Sequence, residues 1–198
     1  MGFKVKDHYY NKAKKDNYFA RSVYKLEEID LKYKILAKGD CVLDLGYHPG
    51  SWTQYASKLV GDEGQVIGID IREVNIKLTG IANVTVYQKD INDVKSLSEF
   101  KVSDKFDAII SDMAPNTTGI KSVDQTRSLQ LVEMVFYHLP NFLKDGGNFV
   151  IKVFDSHEAQ KFLKEQKSLF ENFHFLKPKS TRSVSKEFFV IGGGYKNA

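Results

Sequence analysis

The chain has 198 residues, 42% of them hydrophobic and 27% charged, with a formal net charge of +4. This is enough apolar material for one globular domain with its own core, and it excludes a disordered chain. A single cysteine, Cys41, excludes an internal disulfide and fits a reducing compartment; it reads as a small buried hydrophobe, and one cysteine with scattered histidines gives no zinc-ligand spacing.

No apolar run reaches the roughly 18 residues that a membrane span requires. The N-terminus has neither a secretory core segment nor an amphipathic transit pattern. The charge is uneven. Residues 1–25 hold Lys4, Lys6, Lys12, Lys14, Lys15, Arg21 and Lys25 against Asp7 and Asp16, and the remainder is close to neutral. Such polarity points to an anionic partner docking near the N-terminus. Tyr9, Tyr10, Tyr18 and Phe19 interleave with these charges, as on surfaces that stack nucleic-acid bases. A solvated basic arm over residues 1–20 explains the same pattern equally well.

In chain order, Phe19, Val23, Leu26, Ile29 and Tyr33 recur at helical steps and predict a helix over 18–35. Cys41–Leu45 predicts a short strand, followed by a Gly/Pro turn and a helix over 51–59. Strands are expected at 65–71, 84–88 and 106–111. A helix over 123–143 carries Val123, Leu129, Val132, Phe136, Leu139 and Leu143 on one stripe. Asp145-Gly146-Gly147 turns the chain into an apolar run, Phe149–Phe154. A helix over 157–170 and strands at 173–176 and 187–191 complete the chain. Strands alternating with helices predict an α/β fold with a mostly parallel sheet, its last two strands pairing antiparallel. There is no internal repeat and no linker, so the whole chain, 1–198, reads as a single domain.

The run Phe149–Phe154 contains Lys152 at its middle. An ammonium in a buried strand is costly without partners, so the site must supply them. Lys25, Asp112 and Glu187 also stand beside apolar runs, and two lysines with two carboxylates can form one polar constellation. Taken alone, Lys152 also fits a structural ion pair, and Lys186-Glu187 a plain surface pair.

The first strand leads into Asp44-Leu45-Gly46-Tyr47-His48-Pro49-Gly50-Ser51-Trp52. A glycine turn before a helix N-terminus lets a ligand approach backbone donors. Asp70 and Asp90 close the next two strands, where carboxylates can accept ribose hydroxyls and an adenine amino group. Each alone fits an ordinary strand-end turn. The loop lacks the third glycine of a dinucleotide fingerprint, and Pro49 removes an N–H from the cradle. Asp44, Gly46, Pro49, Gly50 and Trp52 of this loop, with Asp70 and Asp90 at consecutive strand ends, therefore favour a nucleoside without a pyrophosphate, which S-adenosylmethionine (SAM) satisfies.

Four stretches, Arg21–Glu27 (RSVYKLE), Asp44–Gln54 (DLGYHPGSWTQ), Ser111–Asn116 (SDMAPN) and Val150–Phe154 (VIKVF), together resemble the FtsJ/RrmJ family of SAM-dependent ribosomal RNA ribose 2′-O-methyltransferases. The resemblance runs from about Arg21 to Gly192. It implies the class I methyltransferase fold, Rossmann-like: a seven-stranded, mostly parallel sheet ordered 3-2-1-4-5-7-6, with the last strand antiparallel and helices on both faces. It also implies a catalytic tetrad at Lys25, Asp112, Lys152 and Glu187, and SAM contacts at Gly50, Trp52, Asp70, Asp90 and Asp112. Tyr47-His48 depart from the family's usual pair of alanines and are expected to narrow the methionine end of the pocket.

The implied reaction needs no metal, only alignment of a ribose hydroxyl and removal of its proton. Lys152 is the expected base, with Lys25 and Glu187 orienting it and Asp112 beside the methyl donor. Burial and a neighbouring ammonium favour the neutral amine; the carboxylates favour the charged form. RNA, as ribosomal RNA or the large subunit, is the expected partner of a monomer, reaching the site over Lys12, Lys14, Lys15, Arg21, Lys177, Lys179, Arg182 and Lys186. His48, His138, His157 and His174 have no assigned role. The alternatives are a tRNA ribose methyltransferase, a non-catalytic RNA-binding assembly factor and a nucleotide-dependent oxidoreductase. Cytoplasm, mitochondrion and plastid stay open.

Overall fold

A computed structural model describes residues 8–182 and 184–197. Lys4, Lys6 and Asp7 of the basic arm lie outside the described residues. The rest of that arm is not a frayed tail: residues His8–Lys15 form a helix, α1, that buries Ala13. The elements that follow are α2 (Val23–Tyr33), β1 (Cys41–Leu45), α3 (Ser51–Val60), β2 (Gln65–Asp70), β3 (Val84–Gln88), β4 (Phe106–Ser111), α4 (Lys121–Phe142), β5 (Leu143–Phe154), α5 (His157–Gln166), β6 (Phe170–Leu176) and β7 (Glu187–Tyr195).

The strands form a 7-stranded sheet of order β3-β2-β1-β4-β5-β7-β6. β1 pairs in parallel with both β2 and β4, while β7 runs antiparallel to both β5 and β6. The expected architecture is the observed one. The central strands are buried almost throughout, as strands covered on both faces must be. The chain winds outward from β1 to β3, then returns to β4 on the other side of β1. The carboxyl ends of β1 and β4 therefore flank the crevice where ligands bind in such sheets.

The two faces bury separate clusters. Leu43, Ile67, Ile109, Phe136 and Phe149 pack on the α4 side. Val42, Val66, Ile110, Val150, Leu26, Ile29 and Ala56 pack on the α2–α3 side. Successive strand residues face opposite ways, so Lys152, two positions beyond Val150, points to the α2–α3 side.

Several boundaries differ from the sequence expectation. The helix expected over 18–35 is confined to α2: residues 18–22 are non-helical, and Lys34 ends the helix with a positive φ of 54°. Asp145-Gly146-Gly147 does not precede β5 but lies inside it. The register against β4 jumps between the Phe106–Leu143 and Ala108–Asn148 pairs, so the extra residues are absorbed in the strand as a bulge. The helix expected to reach residue 170 ends at Gln166, and β6 and β7 are longer than read. Cys41 is half-buried at the start of β1, and burial pushes its thiol up to about 11, leaving an inert side chain. Among the described residues, no helix is long and apolar enough to cross a membrane.

Candidate active site

Four side chains from four separate segments meet at the carboxyl end of the sheet. Ser111, the last residue of β4, pairs with Ile151 of β5. Asp112 therefore leaves β4 level with Lys152. On the other side of β5, Phe154 lies opposite Glu187 and Lys152 opposite Phe189. Lys152 and Glu187 thus share one face as diagonal neighbours, within reach of long side chains. Lys25 comes down from the first turns of α2 onto the same spot.

The distances describe a closed network. Lys152 Nζ lies 2.9 Å from Asp112 Oδ1 and donates to the Asp112 carbonyl at 2.5 Å. Lys25 Nζ lies 3.8 Å from the same Oδ1 and 2.5 Å from Glu187 Oε1. Side-chain exposure is 8% for Lys152, 12% for both Lys25 and Glu187, and 19% for Asp112. The four charges cancel, which makes their shared burial tolerable. Burial pushes the Glu187 carboxyl up, but Lys25, Lys152 and the Ser185 hydroxyl outweigh it, and the net shift is downward. The Phe189 ring floors the site, with Lys25 Nζ 5.6 Å from its centroid.

The expected cofactor residues divide into two groups. Gly46, Pro49, Gly50 and Asp70 gather at the β1–α3 loop. Gly46 and Gly50 have φ of 69° and 109°. A Cβ at Gly46 would meet Met113 Cγ at 2.1 Å, and one at Gly50 would meet Leu78 Cδ1 at 2.5 Å. Both positions need glycine for conformation and for close approach. Asp70 accepts from the His48 N–H at 3.1 Å and the Arg72 N–H at 2.9 Å, which ties the loop to the end of β2. Asp90, one strand further out, accepts from the Asn92 N–H at 2.9 Å.

Asp44 and Trp52 turn their side chains inward instead. Asp44 is buried and accepts from Thr53 Oγ1 at 2.6 Å; burial, only partly countered by Thr53, pushes its carboxyl up to about 7. Trp52 Nε1 donates to the Ser22 carbonyl at 2.9 Å and its ring tilts against Phe189. These two side chains seat α3 against β1 and α2, so any contact Trp52 makes in the loop falls to its backbone.

Tyr47 corrects a further expectation. Its ring does not narrow the loop; it is buried over Gly68 of β2, whose missing Cβ would lie 2.9 Å from Tyr47 Cγ. The hydroxyl accepts from the Asn75 N–H at 3.1 Å, and Asn75 Nδ2 donates to the Pro49 carbonyl at 2.7 Å. Asn75 and Met113 thus hold the loop, and sequence reasoning missed both because neither stands in a periodic pattern. The glycine within the apolar strand was the available signal for Tyr47. Of the histidines, His138 is buried and its pKa lowered by burial, and His174 stacks on Tyr33 at 4.8 Å.

The N-terminal and C-terminal basic segments face each other across a groove of about 660 Å³, lined in part by Lys12, Lys32, Lys177, Lys179 and Tyr9. Glu28 fixes its far wall, accepting from the Lys179 and Ser180 N–H groups at 2.6 and 2.9 Å.

Comparison with known proteins bears on the whole of this arrangement. Residues 18–195 match the model for FtsJ-like methyltransferases. The protein named ribosomal RNA large subunit methyltransferase E of Bdellovibrio bacteriovorus is 45% identical over 192 residues, covering 97% of this chain and 98% of the relative. The protein of the same name from Desulforapulum autotrophicum is 44% identical, covering 96% and 93%. A structure of fibrillarin from Aeropyrum pernix with S-adenosyl-L-methionine bound superposes with a TM-score of 0.61, covering 86% of this chain and 76% of that one; at 14% identity it speaks for the fold alone. The matched span takes in the glycine loop, the acidic strand ends and all four clustered charges, and the chain belongs to the FtsJ-like methyltransferase family.

Proposed function

We propose that this protein transfers a methyl group from SAM to a ribose 2′-hydroxyl of large-subunit ribosomal RNA, acting as a monomer with one methyltransferase domain. The observation that carries this reading is the convergence of Lys25, Asp112, Lys152 and Glu187 within one chain at the mouth of the sheet. The near-full-length relatives named as large-subunit methyltransferases support the choice of RNA.

The residues fit SAM. Each Asp70 oxygen accepts one backbone N–H and keeps capacity for a ribose hydroxyl. Pro49 leaves the loop short of a donor, which suits a nucleoside lacking a pyrophosphate. Asp112 Oδ1 is buried without an aligned hydrogen bond, beside both lysines. Gly46, Gly50, Asp70, Asp90 and Asp112 would hold the cofactor. When bound, SAM supplies an activated methyl whose carbon–sulfur bond breaks as the 2′-oxygen bonds to the carbon.

The chain's own residues align the hydroxyl and take its proton. Lys152 holds the 2′-oxygen and accepts that proton, having first released its own to solvent. Asp112 fixes Lys152 through both its carboxylate and its carbonyl. Lys25 and Glu187, paired with each other, complete the wall against which the ribose is oriented. Lysines on both sides of the groove carry the RNA backbone through phosphate contacts, which give affinity rather than sequence choice.

Mass-spectrometric mapping of ribose methylation tests the reading. Large-subunit RNA incubated with SAM and the protein, as naked RNA and as particles, should gain a 2′-O-methyl mark absent without the protein. No new mark on either substrate contradicts it.

A further inference from the structure

We propose that a small cavity beside Glu187 receives the base of the nucleotide whose ribose is methylated, turned out of its stack and laid against Phe154. This rests on the ribose-methylation reading and specifies how that substrate is held.

The cavity is about 180 Å³ and opens onto Glu187. Its walls include Phe154, Gln125, Asp155, Ser185, Lys121 and Lys186. Its place follows from the chemistry of a nucleoside. The base hangs from the carbon next to the one that bears the 2′-oxygen. With that oxygen among the four charged residues, the base must lie directly to one side of them. On the Asp112 side stand Met113 and the glycine loop, which the cofactor requires. On the Glu187 side stands the cavity. Phe154 and Glu187 are directly opposed across β5 and β7, so the aromatic wall and the tetrad share one rigid ladder.

Size and lining agree with a single ring. The volume is well below the roughly 300 Å³ at which drug-sized ligand sites begin, so a whole nucleotide does not fit. Phe154 is a partly exposed residue, and exposed aromatic rings are the surfaces on which splayed RNA bases stack. The strand end that bears it is pinned: the Phe154 N–H donates to Ser128 Oγ at 3.0 Å and the Asp155 N–H to the Lys186 carbonyl at 3.0 Å. Apart from Lys121 and Lys186, the polar lining offers acceptors. Gln125 spends an amide N–H on the Asp155 carbonyl, which leaves its own oxygen for a ligand. The Asp155 carboxylate takes Gln160 Nε2 at 2.7 Å on one oxygen and keeps the other. Such a wall favours a base edge that presents N–H donors. Lys121 and Lys186 are placed to meet the flanking phosphates.

The test compares RNA carrying the methylated nucleotide intact with RNA in which that nucleotide keeps its ribose but lacks its base. KM for each is measured with the wild type, Phe154→Ala, Phe154→Trp and Gln125→Ala, with SAM binding as the check on folding. Loss of a stacked base should raise the wild-type KM about tenfold or more. Phe154→Ala should raise KM by a similar factor on intact RNA and leave the abasic RNA unaffected, Phe154→Trp should stay near wild type, and Gln125→Ala should show a smaller loss confined to intact RNA. Equal losses on both RNAs, or a tryptophan variant as poor as the alanine one, overturn the base pocket. A wild type inert on every RNA overturns methyl transfer itself, which is a distinct failure.

Discussion

Lys25 and Glu187 lie 162 positions apart in the chain and meet at 2.5 Å, with the Phe189 ring beneath them. The pair joins α2, on one face of the sheet, to the first residue of its antiparallel strand. It is mostly buried, so removing one partner strands the other charge. Lys25→Met should destabilise the protein by about 2–4 kcal/mol at pH 7. The Glu187 carboxyl is held below its ordinary value of 4.5. Its contribution is therefore fully present above that value and is lost as pH falls through the depressed one. The gap between wild type and variant in denaturant melts should close on acidification; a gap that is the same at pH 7 and pH 3 contradicts the pairing.

Asp44 gives the opposite sign. Its folded carboxyl is raised to about 7 from an ordinary 3.8. The ionised form is disfavoured in the fold, so the stability cost of this residue grows as pH rises from about 4 to about 7. Asn can still accept from Thr53. Asp44→Asn should match the wild type below pH 4 and exceed it in stability above pH 7. A difference that does not change with pH shows that Asp44 is not buried as charge.

Gly46 tests the loop. Gly46→Ala combines a positive φ with a clash against Met113 and should cost about 1–3 kcal/mol. SAM affinity, measured by calorimetry, should fall with it. Adding Met113→Ala removes the clash but not the backbone strain, so the double variant should recover part of the affinity. No recovery means that Met113 does not pack over the loop.

Tyr47 supports the same loop from below. Tyr47→Phe removes the acceptor for the Asn75 N–H and should lower stability by about 0.5–1.5 kcal/mol. Gly68→Ala intrudes on the ring itself, 2.9 Å away, and should cost more. Thermal melts of the two variants separate these terms; equal melts contradict the packing.

The sequence made Lys152 legible because a charge among five apolar residues has no place in a buried strand unless it is partnered. Asp112 was legible as the carboxylate just beyond the end of β4. The order of the sheet followed from the resemblance, whereas composition and periodicity reached only an alternating α/β pattern. What escaped depends on tertiary direction. Nothing local tells which way the Trp52 ring turns, and it turns to Ser22 and Phe189. Nothing local marks α1 as helical, since His8–Lys15 buries one alanine and is otherwise polar, charged or aromatic. The bulge in β5 hides because Asp145-Gly146-Gly147 has the composition of a turn and acquires its strand pairing only from β4.

In the proposed reaction, the buried Lys152 amine handles the substrate hydroxyl and not the cofactor. The direct measurement is methyl transfer to large-subunit RNA by Lys152→Ala, run beside its equilibrium affinity for SAM. Product should stay at background, with affinity within a few-fold of the wild type. Wild-type turnover, or loss of turnover explained wholly by lost SAM binding, would contradict it.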